Sequence, residues 1–151
     1  MSLSFDWVIK NELAVGKSPK LEKDLDFLKT KGIKSVLSLC SDEEGQIHSG
    51  IKTIFNYQQF ILPDHKKDKS ITSEHLEKAI NNLSYLIKNK PVYVHCVASV
   101  ERSPLVCMAW LLKTNYLTPI EALEYMNHTH KLTNPLPGHL ATLNELFATL
   151  Q

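Results

Sequence analysis

Residues 91–113 constrain this fold more than any other stretch of the chain. Pro91-Val92-Tyr93-Val94 is β-branched and aromatic and is opened by a proline, which reads as a short buried strand. Residues 103–113 contain the longest wholly apolar run, Leu105 to Leu112, and read as a largely buried helix. Only a short loop joins the two. A strand passing through a short loop into a helix is a unit of an α/β sandwich, and the flanking segments keep up that alternation.

Trp7-Val8-Ile9 and residues 13–16 read as two short strands about a polar Asn11-Glu12 turn. Ser18-Pro19 is the expected start of a helix, with Leu21, Leu25 and Leu28 on its apolar face and Gly32 at its end. Residues 35–40 are a buried-strand candidate, followed by Ser41 to Gly45 as a polar loop. A further strand is expected over residues 52–57, and a short one over 60–62. Residues 63–70 read as a loop carrying Lys66, Lys67 and Lys69. Residues 72–88 form the clearest helix, with Leu76, Ala79, Ile80, Leu83, Leu86 and Ile87 at helical spacing. Thr118-Pro119-Ile120-Glu121 is a capping box with proline at the first helical position, opening a helix to about Asn127. Residues 138–150 make the last helix. The expected fold is therefore α/β: a central, mostly parallel twisted sheet of about four to five strands flanked by helices. In such sheets ligands bind beyond the carboxyl ends of the strands, where the loop after Val94 lies.

At 151 residues, with 43% of them hydrophobic, the chain has the length and apolar content of one domain spanning residues 1–151. No repeat or linker divides it. Seventeen basic residues against sixteen acidic ones leave a net charge of +1, which excludes a chain working chiefly as a nucleic-acid binder. The apolar run at 105–112 is far short of the roughly 20 residues that span a bilayer. The first residues show no basic segment followed by an apolar one, so no secretory signal is read. The cysteines, Cys40, Cys96 and Cys107, are odd in number and form no C-x-x-C, so neither a disulfide framework nor a zinc site is expected. Reduced thiols in the cytoplasm are the default.

The loop itself reads His95-Cys96-Val97-Ala98-Ser99-Val100-Glu101-Arg102-Ser103, and Arg102 is the only arginine in the chain. A short loop feeding a helix N-terminus turns successive backbone N–H groups inward and makes a nest for an oxyanion. The helix dipole adds positive potential there, in which a thiol loses its proton more easily, and the thiolate is the nucleophile. A guanidinium can grip two phosphoryl oxygens at once. Nucleophile, donors and cation would surround one phosphate-sized hole.

His95-Cys96-x5-Arg102-Ser103 resembles the signature of the cysteine-based protein tyrosine phosphatase superfamily. The short chain and the wider pattern from Leu62 through Leu112 most resemble its compact, atypical dual-specificity branch. The resemblance implies a metal-free, cofactor-free hydrolysis of phosphate monoesters in two steps through a phosphocysteine on Cys96. Arg102 and the amides from Val97 to Arg102 (Val97, Ala98, Ser99, Val100, Glu101, Arg102) would hold the equatorial oxygens. Ser103 would hydrogen-bond the sulfur, and His95 would orient the loop and support a low thiol pKa. The general acid in this family is an aspartate on an upstream loop; Asp64, in Ile61-Leu62-Pro63-Asp64, is favoured over Asp68. Phosphotyrosine and possible phosphoserine or phosphothreonine proteins are the first substrates to consider, with no nucleic acid or membrane partner and a monomer expected.

The sequence departs from the family pattern in places. Ser99 stands where the loop usually has glycine; a positive φ there costs a non-glycine residue about 1–2 kcal/mol. Glu101 puts a carboxylate beside the hole, although middle residues of such loops usually point outward, and it argues against polyanionic lipid headgroups. Leu136 replaces an asparagine common before the last helix, which puts a loop-bracing hydrogen bond in doubt. Cys40 could act as a redox partner of Cys96, with a buried small residue the favoured reading. Lys66, Lys67 and Lys69 could attract an anion but more often are simply solvated. His128 and His130, near a helix end, could suggest a metal, but without further ligands solvated residues are the favoured reading. Ser99 and Glu101 motivate the rival reading, a pseudophosphatase that binds phosphate without turnover.

Overall fold

The computed structural model describes residues 3–64 and 70–151. Its sheet has five strands: β1 (Phe5–Ile9), β2 (Leu13–Gly16), β3 (Ser35–Ser38), β4 (Asn56–Gln59) and β5 (Val92–His95). They lie in the order β1-β2-β5-β3-β4, with only the β1–β2 pair antiparallel. Strand β5 is therefore central. Val94 stands level with Val15 on one side and Leu37 on the other, and His95 level with Gly16 and Ser38. The three inner strands end together, so whatever follows β5 emerges at the carboxyl edge of the sheet.

Side chains alternate across the sheet and both faces are covered, which is why the inner strands read as continuous apolar runs. Ala14, Val36 and Tyr93 point to one face, where Leu25 and Leu28 of α1 (Glu22–Thr30) and Ile51 of α3 (Ile51–Ile54) cover them. Leu13, Val15, Leu37, Val92 and Val94 point to the other. There they meet a larger cluster from α4 (Ser73–Leu86), α5 (Arg102–Thr114), α6 (Pro119–Thr129) and α7 (Pro137–Leu150). Helix α5 is enclosed on nearly every side: from Arg102 to Leu112 each residue is buried. Thr118 accepts from the N–H of Glu121, whose carboxylate accepts from the N–H of Thr118, so the expected capping box opens α6.

Several local expectations are corrected. Residues 41–45 are not a loop but carry α2 (Asp42–Gly45), because Ser41 and Glu44 cap each other reciprocally. Residues 52–57 are not one strand. The chain makes the short α3, then pairs Asn56 with Ser35 to begin β4, an edge strand too polar to announce itself. Residues 60–62 are not a strand either, although the Phe60 and Leu62 N–H groups still bond the carbonyls of Ser38 and Leu39. Helix α1 starts at Glu22, not at Ser18-Pro19: Asp24 accepts from the N–H groups of Lys20 and Leu21. That start leaves Leu21 53% exposed, off the apolar face. The Ser18 hydroxyl instead donates to the Gly45 carbonyl. Among the described residues no helix is long and apolar enough to cross a membrane.

Candidate active site

Five carbonyl groups of the loop between β5 and α5 are held from outside. Cys96 O accepts from the His95 ring, Val97 O from the Ser18 N–H, Ser99 O from the His130 ring, Val100 O from the Asn134 N–H and Glu101 O from the Leu105 N–H. In a trans peptide the N–H points opposite to the C=O. Pulling those carbonyls outward turns the N–H groups of Val97, Ala98, Val100, Glu101 and Arg102 the other way. Those same residues, with Cys96, Glu44 and Asp64, line a cleft of about 440 Å³. The geometry makes a ring of backbone donors at the N-terminus of a thirteen-residue helix, which suits a tetrahedral oxyanion.

Cys96 leaves the end of β5 and is 3% exposed. Its Sγ lies 3.2 Å from the Ser103 Oγ in the first turn of α5. Arg102 is buried as well. Its Nη1 donates to the Leu62 carbonyl at 3.2 Å, and its Nη2 lies 3.2 Å from Glu44 Oε1. Burial works against the charge on Arg102, but Cys96 and Glu44 outweigh it and raise its pKa. Burial would likewise raise the Glu44 carboxyl. The Ser41 N–H and the Arg102 guanidinium overcome that and hold it below the usual carboxylate value. Glu44 was not singled out from the sequence; the Ser41-x-x-Glu44 capping pattern was its one local signal, and nothing local pointed it at Arg102.

His95 is wholly buried. A carbonyl can only accept, so Nδ1 carries the proton donated to Cys96 O, and Nε2 accepts from the Ser38 hydroxyl. Burial pushes its pKa down to about 4, against the Cys96 carbonyl and with the help of Arg102. The ring is neutral near pH 7. It braces the loop and adds no positive charge beside the thiol.

Ser99 has φ 61°, the strained conformation that its replacement of glycine raised as a concern. The loop is not loosened there. Ser99 is buried, with Oγ 3.2 Å from Ser103 Oγ and 3.0 Å from His130 Nε2. The solvated reading of His130 is thereby corrected: it is fully buried, with Nδ1 2.7 Å from Asp6 Oδ2. His128 is exposed. The bracing bond doubted at Leu136 comes instead from the backbone of Asn134. Glu101 is half-buried and lines the cleft rather than turning wholly away. Asp64 lines it too, while Asp68 and Lys66, Lys67 and Lys69 lie outside the described residues. Cys40 is a buried free thiol whose pKa is pushed up to about 12, chiefly by burial, with Arg102 opposing and Cys96, Glu44 and Asp42 adding. Cys107 is buried in α5, as its apolar neighbours implied. Among the described residues no group of three or more His, Cys, Asp or Glu side chains is placed to hold a metal.

Known proteins resemble this chain in sequence and in architecture. Human dual specificity protein phosphatase 5 is 35% identical over 72 residues, 47% of this chain and 19% of that protein. Dual specificity protein phosphatase PHS1 of Arabidopsis thaliana is 30% identical over 116 residues, 76% of this chain and 12% of that protein. The chain thus spans a fifth or less of the length of these relatives. The crystal structure of Tk-PTP in the active form superposes with a TM-score of 0.82 at 22% identity, covering 98% of this chain and 99% of that one. Residues 13–149 match the family described as dual specificity phosphatase, catalytic domain, and the chain belongs to that family.

Proposed function

We propose that this chain is a single-domain, cysteine-dependent protein phosphatase that hydrolyses phosphate monoesters, phosphotyrosine and phosphoserine or phosphothreonine proteins among them, through a phosphocysteine. The observation that carries the reading is the outward anchoring of the loop carbonyls. It leaves the backbone donors, the Arg102 guanidinium and the Cys96 sulfur around one cleft. Each part of the machinery then has a task. The Cys96 thiolate attacks phosphorus, forming the S–P bond as the bond to the leaving oxygen breaks. Asp64, on the cleft wall, gives its proton to that oxygen. The loop N–H groups and Arg102 hold the equatorial oxygens, where charge must be stabilised. In the second step the Asp64 carboxylate takes a proton from water, the new O–P bond forms, and the S–P bond breaks. The thiolate returns and inorganic phosphate leaves. Ser103 is within hydrogen-bond reach of the departing sulfur.

Hydrolysis of a small aryl phosphate from pH 5 to 8, with EDTA present, tests this on wild type and Cys96→Ser. Turnover that needs Cys96 and ignores EDTA is expected. A folded, reduced wild type without turnover would refute the enzyme and leave a phosphate-binding module, for which Cys96→Ser has no turnover to lose.

A further inference from the structure

Beyond the machinery just described, a line of polar groups runs from the sheet edge to the nucleophile. Asp6 of β1, His130 at the end of α6, Ser99, Ser103 and Cys96 are joined in turn by contacts of 2.7, 3.0, 3.2 and 3.2 Å. His130, Ser99 and Ser103 are buried. The direction of donation along it follows from which atoms can accept. His130 Nε2 lies 2.7 Å from Ser99 O, and a carbonyl only accepts, so Nε2 carries a proton. Nδ1 faces a carboxylate oxygen of Asp6. Holding its proton, Nε2 offers the Ser99 hydroxyl no lone pair to donate to. The hydroxyl proton goes to Ser103 Oγ, which frees the Ser103 proton for Cys96 Sγ.

We infer that Ser99 and His130 are positioning residues: they order the Ser103 hydroxyl so that it donates to the Cys96 sulfur. The inference rests on Cys96 being the nucleophile, as read above. It also gives the serine at a left-handed backbone position a use that glycine could not supply. His130, itself held by Asp6, contacts both the carbonyl and the hydroxyl of Ser99, and the hydroxyl is the part glycine lacks. A donor aimed at sulfur matters most when sulfur departs with negative charge, that is, in the breakdown of the phosphocysteine.

Ser99→Gly is the decisive variant, because glycine adopts a positive φ freely and the loop backbone is relieved rather than strained. In the full chain, Ser99→Gly is expected to melt at or near the wild-type temperature. Alkylation of Cys96 by iodoacetate at pH 6 is expected to slow about 3- to 10-fold, the range for losing one hydrogen bond, and to approach the wild-type rate at pH 9. In burst kinetics with an aryl phosphate, phosphocysteine breakdown slows by a similar factor of about 3–10 while its formation changes less than about 2-fold. In a Ser103→Ala background the same change should be silent, since the relay is already cut. His130→Gln, whose amide can still donate to Ser99, should retain more of the pH 6 alkylation rate than His130→Leu. Wild-type alkylation rates in Ser99→Gly, or an undiminished effect in the Ser103→Ala background, overturn the relay. A wild type that alkylates normally but turns over no aryl phosphate refutes the phosphatase reading, and the alkylation arm still decides the relay.

Discussion

Replacing Glu44 by Gln changes little in shape and removes one charge from the most enclosed ion pair described here. Glu44 Oε1 and Arg102 Nη2 are 3.2 Å apart, with side chains 20% and 8% exposed. At an effective dielectric of about 20 the gross attraction is about 5 kcal/mol. Part of that is offset by the cost of withdrawing both groups from water. The Leu62 carbonyl still accepts from Arg102 in the variant, and the Ser41 N–H can bond the amide oxygen. A net loss of about 1–3 kcal/mol remains, the range for leaving a buried donor without its partner. For a chain of this size each kcal/mol lowers Tm by about 2–4 °C, so a fall of about 4–8 °C is expected at pH 7 for a mid-range loss. The pH dependence is a second check. The Glu44 carboxyl is held below its ordinary value of 4.5 in the folded protein. Its contribution is therefore fully present above that ordinary value and lost as pH falls through the lower, folded one. Thermal melts of both proteins from pH 7 downward should converge below pH 4.5. Equal Tm values at pH 7, or a gap that does not narrow in acid, would show that Glu44 does not hold Arg102 as described. Aryl phosphate turnover should fall as well, because Arg102 would be free to leave the cleft wall.

His95 makes an opposite kind of prediction, because burial lowers its pKa from 6.5 to about 4 and the ring is neutral when folded. The unfolded chain binds that proton first, so this group costs stability as pH falls from 6.5 to about 4. The cost reaches about 3 kcal/mol in order of magnitude. Denaturant titrations of His95→Gln between pH 7 and 4 should show a shallower loss, and an unchanged slope would be a refutation. Cys40, with its thiol pushed up to about 12 and buried, should resist iodoacetate in the folded protein at pH 8. Peptide mass mapping that finds Cys40 labelled without unfolding would contradict the burial described.

What could be read from the residues in order was what neighbours in the chain decide. Strand β5, the loop and α5 are contiguous, so apolar periodicity and the His95-Cys96-x5-Arg102-Ser103 spacing exposed them together. The same is true of the capping box at Thr118 and Glu121, whose partners are three residues apart. Where an element owes its existence to a distant partner, the reading failed. Strand β4 is polar and forms because β3 offers it hydrogen bonds, and Leu21 is exposed because Asp24 moved the start of α1.

The sequence by itself determined the chemistry available: one arginine, a cysteine six residues before it, and an α/β chain to carry them. Only the tertiary structure decided how that chemistry is held. Glu44 reaches Arg102, His130 links Asp6 to Ser99, and Ser18 and Asn134 hold the carbonyls of Val97 and Val100. These partners come from separate segments of the chain, brought together by a parallel sheet whose order does not follow the sequence. No local spacing encodes them. They meet because burying both faces of β5 leaves the loop's polar groups without water, and each must then find its partner within the fold.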